Sequence, residues 1–495
     1  MSTPAPRITQ RVIDNTQSVP NLLDGVVFVQ GITERGPVHD PSKIINSWSA
    51  FRNLFGGFIE GSDFPLHCKI LLDRGCKLRV NSIKNNPTHA SVILANDEGS
   101  PQNLFTLRAK YPGVAYNFDD TGDDDKGLLV KAVAPSDSEL GGFNLQVYFD
   151  GDLVETFENL TTSETGLNTA LANSKWIELL TMADLTSVTN LVPEFEDYEL
   201  DNGADGDLVT DTEMADFSAF DPFDDSYCLV APEEQGSVVH LAGVTYAELR
   251  KDIRYYASLA TDDDEDVIIT GRQSLPYSKF VSYTSGGWVI NDPVTGVKKN
   301  ISEVSNFVAN FIKVADESAI WFSFSGPDNP VPGVVGPVYN FGSKAKFNEL
   351  DLLNRNHINM AINRNGVNMF WGNFTAQREN THLKFISTHN LILYISKVLG
   401  PTLETFIEKP LDIPLFRQIH QVVQPFLDSL VSGRAVFSYA WNGDQNAVNL
   451  DSLQVNDPVD IQMGIYKVDL PIVRINPLQE IQLTIELTRA GVTIE

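Results

Sequence analysis

Basic residues are scarce in this sequence: 36 Lys and Arg face 65 Asp and Glu, a formal charge of −29. A surface with that balance repels phosphate backbones, which excludes nucleic acid as a direct partner. Cysteines number three, Cys68, Cys76 and Cys228. That is too few for a disulfide scaffold, and no C-x-x-C pair supplies metal-ligand spacing. An odd count leaves at least one thiol without an internal partner, so buried free thiols and cross-links between subunits both stand open. No run approaches the roughly 20 apolar residues of a membrane span. The start, Met1 to Gln10, is polar with Pro4 and Pro6 and carries no secretory-signal pattern, which points to synthesis in the cytosol.

Catalytic signatures are missing too. There is no G-x-x-x-x-G-K phosphate loop, no G-x-G-x-x-G after a strand, no H-E-x-x-H and no G-x-S-x-G. The eight histidines are scattered; His382 and His389 lie two turns apart on an expected helix, with no carboxylate spacing to complete a metal site. Asp201, Asp205 and Gly206 match positions 1, 5 and 6 of a calcium loop, but Gly203 at position 3 and Thr212 at position 12 leave it without its bidentate glutamate. Asp119, Asp120 and Asp123–Asp125, like Asp262–Asp266, read as charged turns. No cofactor or metal is implied.

What is present is ample apolar content, 42% of 495 residues, enough for roughly three domains. Residues 341–495 carry 13 Lys and Arg against 15 Asp and Glu, a balance of −2, so −27 of the −29 falls on residues 1–340. Along the chain, Gly25–Gly31 predicts a short buried strand, and Ser47 caps a helix carrying Trp48, Phe51, Leu54 and Phe55, stopped by Gly56-Gly57. A helix over 63–74 leads into a strand over 77–83, an α/β texture. Short strands over 104–110, 128–133, 143–149 and 153–157 then predict an all-β insertion. The acidic stretch 194–225, without Lys or Arg, reads as a solvated, partly mobile segment. Afterwards come a strand over 227–231, a helix over 245–259, a strand over 267–270, a helix over 302–314 and a strand over 319–324. Beyond a Pro/Gly linker at 327–337, helices are expected over 382–399 and from Leu415 to Gly433, the second either kinked at Pro425 or divided there into two.

The last stretch alternates strictly: Ile481, Leu483, Ile485 and Leu487 against Gln482, Thr484, Glu486 and Thr488. It predicts a strand set apart by Pro471 and Pro477, with Val468–Pro477 as a flexible linker. Its pairing edge belongs either to its own domain or to another molecule. At the other end, Ile8, Val12 and Ile13 are the only sizeable apolar cluster of a polar arm.

Several segments together, in order and spacing, resemble the tail sheath proteins of contractile bacteriophages, a family shared with contractile injection systems and R-type tailocins. They are Gly25–Gly31 with Arg35-Gly36-Pro37, Phe51 to Gly57, Gly75 to Ile83, Leu107 to Gly113, Glu155 to Leu160, Gly366 to Gly372, Phe385-Ile-Ser387, Tyr394-Ile-Ser396 and Phe406 to Pro410. One departure is local: the family's Trp-Gly-Ala-Arg-Thr is Trp371-Gly-Asn-Phe-Thr375 here.

The resemblance implies a multidomain α+β and α/β chain. Its parts would be an N-terminal arm over 1–22, a split subtilisin-like α/β domain over 23–97 and 191–340, and a β-sandwich insertion over 98–190 on the outer surface. An α+β C-terminal domain over 341–478 would face the tube, followed by an arm strand over 479–495. Subtilisin-like names a fold only, since no protease pattern is present. The implied role is structural, not enzymatic: hexameric rings stacked helically around a tail tube, contracting to drive the tube through a host envelope. Partners would be further copies, the tail tube protein, and baseplate and tail terminator proteins, without nucleic acid or membrane insertion. The location would be the virion tail, assembled in the host cytoplasm. Ile8, Val12 and Ile13, with Ile481, Leu483, Ile485 and Leu487, would supply strands exchanged between subunits. A disulfide between subunits, from Cys228 to Cys68 or Cys76, would lock the extended state. A surface-layer or adhesion protein using the same exchange is the alternative, and it should carry an export signal.

Overall fold

A computed structural model of the protein describes residues 25–440 apart from 122–124 and 136–141, together with Met463, 465–468 and 470–475. The chain is a mixed α/β multidomain protein with several sheets and ten α-helices among the described residues. Two compact units emerge: Leu23–Lys313 with Ser325–Glu379, and Val314–Phe324 with Asn380–Glu495 and Met1–Leu22.

The larger unit is built on an eight-stranded sheet. In spatial order its strands are Val367–Trp371, Ile358–Arg364, Val281–Ser285, Arg254–Ser258, Ser226–Val230, Val26–Gly31, Lys77–Ser82 and Ile44–Ile45. The six inner strands run parallel and the two edge strands antiparallel. Parallel strands covered on both faces read as unbroken apolar runs, and Val26–Gly31 and Ser226–Val230 are buried throughout. Neighbouring side chains leave opposite faces. Tyr255 belongs to the core under helices Ser237–Arg250 and Glu265–Gln273, while Tyr256 meets Phe307 and Phe311 of helix Val304–Glu317 at ring distances of 6.0 and 6.3 Å.

Three expected elements differ. The helix expected over 245–259 is the helix Ser237–Arg250, closed by Lys251 at φ 64°, followed by the strand Arg254–Ser258. The three- and four-residue spacing of Leu249, Ile253, Tyr256 and Leu259 bridges that cap by coincidence, and Leu249 is 76% exposed. The strand expected over 267–270 is the helix Glu265–Gln273, whose first turn is set by Asp264 accepting from the Asp266 amide. Carboxylates at a helix start outweigh the β-branched run that follows. Residues 319–324 form no strand.

The sheet also corrects the boundary expected at 340/341, because Ile358–Arg364 and Val367–Trp371 complete it. The insertion begins earlier than 98 and closes later than 190. Two antiparallel sheets share one core, one of Ser91–Ala95, Asn103–Ala109 and Ile177–Met182, the other of Leu128–Val133, Phe143–Phe149, Asp152–Leu160 and Asp197–Glu199. Its two connections to the main sheet pair with each other, Thr88 with Ala204 and Ser91 with Asp201, so exit and return form a neck. The acidic stretch 194–225 is largely exposed, as a solvated segment would be, but it is anchored at intervals. Leu200, Phe217 and Phe220 are buried, with Phe220 stacked on Phe28 at 4.7 Å, while Phe195 and Leu208 face water.

Candidate assembly interface

In the smaller unit, helix Ile413–Ser432 starts at Asp412, whose side chain accepts from the Leu415 amide at 2.9 Å, and stops at Gly433. Leu415, Ile419, Val423, Leu427 and Leu430 repeat at helical spacing and pack against Leu391, Ile395 and Leu399 of helix Ile386–Glu404. Pro425 is accommodated within one helix. The chain then turns at Arg434, φ 59°, into the strand Val436–Tyr439, which pairs antiparallel with Ile472–Arg474.

That pair is a sheet of two strands only, among the described residues. Two strands alone are marginal in water, and each outer edge offers backbone donors and acceptors to a further strand. The pairing slips between Val436 and Ser438, and Phe437 at the irregularity is 74% exposed; Val473, the partner of Ser438, is 56% exposed. Among the described residues the sheet therefore pairs no further strand, and Phe437 and Val473 give it exposed apolar surface. Its position is fixed firmly. The Arg474 guanidinium donates to the Ala435 and Trp321 carbonyls at 2.6 and 2.7 Å, and burial brings its pKa down to about 10. Trp321 in turn donates to the Gly433 carbonyl at 3.1 Å. Val468–Pro477, expected as a flexible linker, thus contains an anchored strand. The β-branched and aromatic run Val436–Tyr439 after a Gly433 stop, and the Ile472-Val473 pair after Pro471, are the short sequence signals for it.

Open α/β sheets bind ligands at the strand ends where the winding direction reverses, here between Val26–Gly31 and Ser226–Val230. Glu233 accepts from the Ser62 hydroxyl at 2.6 Å and from the Asp63 amide, pinning the start of helix Phe64–Asp73, and burial raises its carboxyl. Beside it, His67 Nδ1 lies 3.0 Å from Ser305 Oγ. A serine next to a histidine is the beginning of a nucleophilic pair, but both are buried, which leaves a substrate no approach.

Ile8, Val12, Ile13, Ile481, Leu483, Ile485 and Leu487 lie outside the described residues. Cys68, Cys76 and Cys228 are buried free thiols on helix Phe64–Asp73, just before strand Lys77–Ser82 and within strand Ser226–Val230. Burial raises the Cys68 thiol and pushes Cys76 up to about 12. All three are buried, so a bond from any of them to a neighbouring subunit would require the larger unit to open locally. Asp205 of the calcium-like loop is paired with Lys84, whose ammonium is buried, and Gly203 and Gly206 serve the neck: the Gly203 amide donates to Asn117 Oδ1 at 2.7 Å. His389 is buried in its helix and His382 opens the short turn before it.

No family model matches the chain, and no curated protein matches it in sequence. Solved structures do. The sheath tail protein of Listeria innocua matches with TM-score 0.59 and 12% identity, over 91% of this chain and 95% of that one. The sheath tail protein of Desulfitobacterium hafniense matches with TM-score 0.55 and 14% identity, over 86% and 90%. The sheath complex of an extracellular contractile injection system, in its contracted state, matches with TM-score 0.55 and 11% identity, over 98% of each chain. At these identities the likeness is one of fold.

Proposed function

We propose that this protein, which has the fold of contractile sheath proteins, is a sheath subunit whose copies stack as hexameric rings around a tail tube. The observation that carries this reading is the extent of the shared fold, which runs over 91% of this chain and 95% of the Listeria innocua sheath tail protein. The split α/β unit is then the subtilisin-like domain of sheaths and the two-sheet insertion its β-sandwich. The open-edged sheet at Val436–Tyr439 supports the mechanical part. It accepts strands from neighbours, supplied by the arm around Ile8, Val12 and Ile13 and by Ile481–Leu487. Backbone ladders depend little on side-chain identity, so such links persist while whole subunits rotate.

Contraction is a passage between two packings of the same subunits, an extended form trapped by assembly and a compact form with more buried contact. The nearly neutral C-terminal region faces the tube, and the acidic insertion faces water. Baseplate and terminator proteins cap the two ends, and the complex acts at the tail of a particle.

Electron microscopy of the purified protein beside a version truncated after Gln479 tests the reading. Hollow tubular polymers from the full chain and dispersed particles from the truncated one are expected. Dispersed particles from both, even with the cognate tube protein added, overturn it.

A further inference from the structure

The larger unit carries a protruding apolar knob and an apolar groove on opposite faces of its sheet. The knob is the tip of the hairpin between strands Trp288–Asn291 and Lys298–Ile301. Asp292 holds it in shape: its carboxylate accepts from the Val294 amide at 2.7 Å, its own amide donates to the Val297 carbonyl at 2.9 Å, and its carbonyl accepts from Gly296 at 2.8 Å. Gly296 sits at φ +71°, a conformation that favours glycine. A tip built this firmly nevertheless presents Val294 and Val297 to water, at 66% and 65% exposure, with Lys298 next to them. Order in a loop that exposes its apolar residues is the form a preorganised contact takes.

The groove, about 590 Å³, runs between residues 215–221 and helix Ser237–Arg250. Phe217, Ala242 and Tyr246 line it, and Leu249, 76% exposed, stands at its side. Leu241 and Val238, 55% and 51% exposed, continue the apolar stripe along the helix. Asp216, Asp221 and Arg250 also line it; the Arg250 guanidinium is held by Asp252 and by the Phe220 and Phe223 carbonyls, which leaves two carboxylates beside an apolar interior, the complement of two valines followed by a lysine.

The sheet separates the two. Phe217 lies 5.9 Å from Tyr255, on one face. Trp288 at the base of the hairpin meets Phe370, which meets Phe307, which meets Tyr256, on the other. A copy therefore cannot fill its own groove. A contact of this type is heterologous and propagates from copy to copy.

We propose that the tip Val294–Val297 of one copy seats in the Phe217–Leu249 groove of the next, with Lys298 against Asp216 and Asp221. The inference rests on the sheath reading in taking the occupant to be a second copy. The test is the double variant Val297→Cys with Leu249→Cys, both exposed positions, in the full-length protein under mild oxidation. The native thiols are buried, so background is low. A ladder of dimers, trimers and higher species on non-reducing gels is expected, with dimers alone when the two single variants are mixed. Tubular polymers without cross-links beyond those of the single variants overturn this contact and leave the sheath reading standing. Neither polymers nor cross-links overturn both.

Discussion

Lowering the pH should loosen the larger unit through two buried imidazoles. His67 and His240 are sealed in its core, and burial brings each pKa from 6.5 down to about 4. The surroundings of His67 are Ser305, the carboxylate of Asp63 and the opposing charge of Lys299. His240 lies between the Tyr255 hydroxyl at 3.0 Å and the Ser258 carbonyl at 2.9 Å, with the Tyr283 ring 6.4 Å away. The folded state thus excludes a proton that the unfolded chain accepts. The contribution is complete above pH 6.5 and is lost as the pH falls through that value toward 4. Between pH 6.5 and pH 5 the loss is about 1.4 kcal/mol per pH unit, so each ring costs about 2 kcal/mol at pH 5 and both together about 4. Glu233, Glu234 and Glu303, whose carboxyls burial holds above the usual range, act in the opposite direction. The two contributions are separated by comparing the protein with His67→Gln/His240→Gln. Urea unfolding at pH 7 and pH 5 should show the double variant losing ~4 kcal/mol less than the parent on acidification. Equal losses would refute the assignment of the acid sensitivity to these rings.

At the neck, Gly206 lies at φ +86° and a Cβ there would sit 1.9 Å from the Asn85 carbonyl oxygen. Gly206→Ala should therefore destabilise by about 1–3 kcal/mol or more, read as a lowered melting temperature. Thiol titration of the native protein should find none of the three cysteines reactive, and all three after unfolding; prompt reaction of any one would contradict their burial. Arg474→Leu leaves two carbonyls unpaired at about 1–3 kcal/mol, and proteolysis should then cut within 465–475 faster than in the parent. Phe437→Lys should change stability by no more than ~0.5 kcal/mol, as an exposed substitution does, yet abolish polymers in the microscope.

The sequence signals that proved legible were those with a local physical cause. Ser47 predicted a cap and its hydroxyl accepts from the Ala50 amide at 3.2 Å; Phe143–Phe149 places Phe143, Leu145, Val147 and Phe149 at every second position, as a strand does. Misread segments were short apolar runs whose type depends on what covers them. Val267–Thr270 looks like a buried strand until Asp264 and the first-turn acids are weighed, and Ile253, Tyr256 and Leu259 continue a helical spacing that Lys251 has already ended. The extent of the main sheet was hidden for another reason. Ile358–Arg364 joins it 73 residues after Val281–Ser285, and no local pattern announces a pairing at that distance. At the candidate interface, the Ile413–Ser432 helix was visible and its partner sheet was not, since Ile472–Arg474 is only three residues long.

Helical reconstruction by cryo-electron microscopy of the polymer would test the central claim most directly, by tracing what lies beside Val436–Tyr439. The account predicts a sheet extended by a strand from another copy, with Ile481, Leu483, Ile485 and Leu487 alternating along it and Phe437 covered. A sheet completed by the same copy, or left at two strands with Phe437 in water, would contradict it.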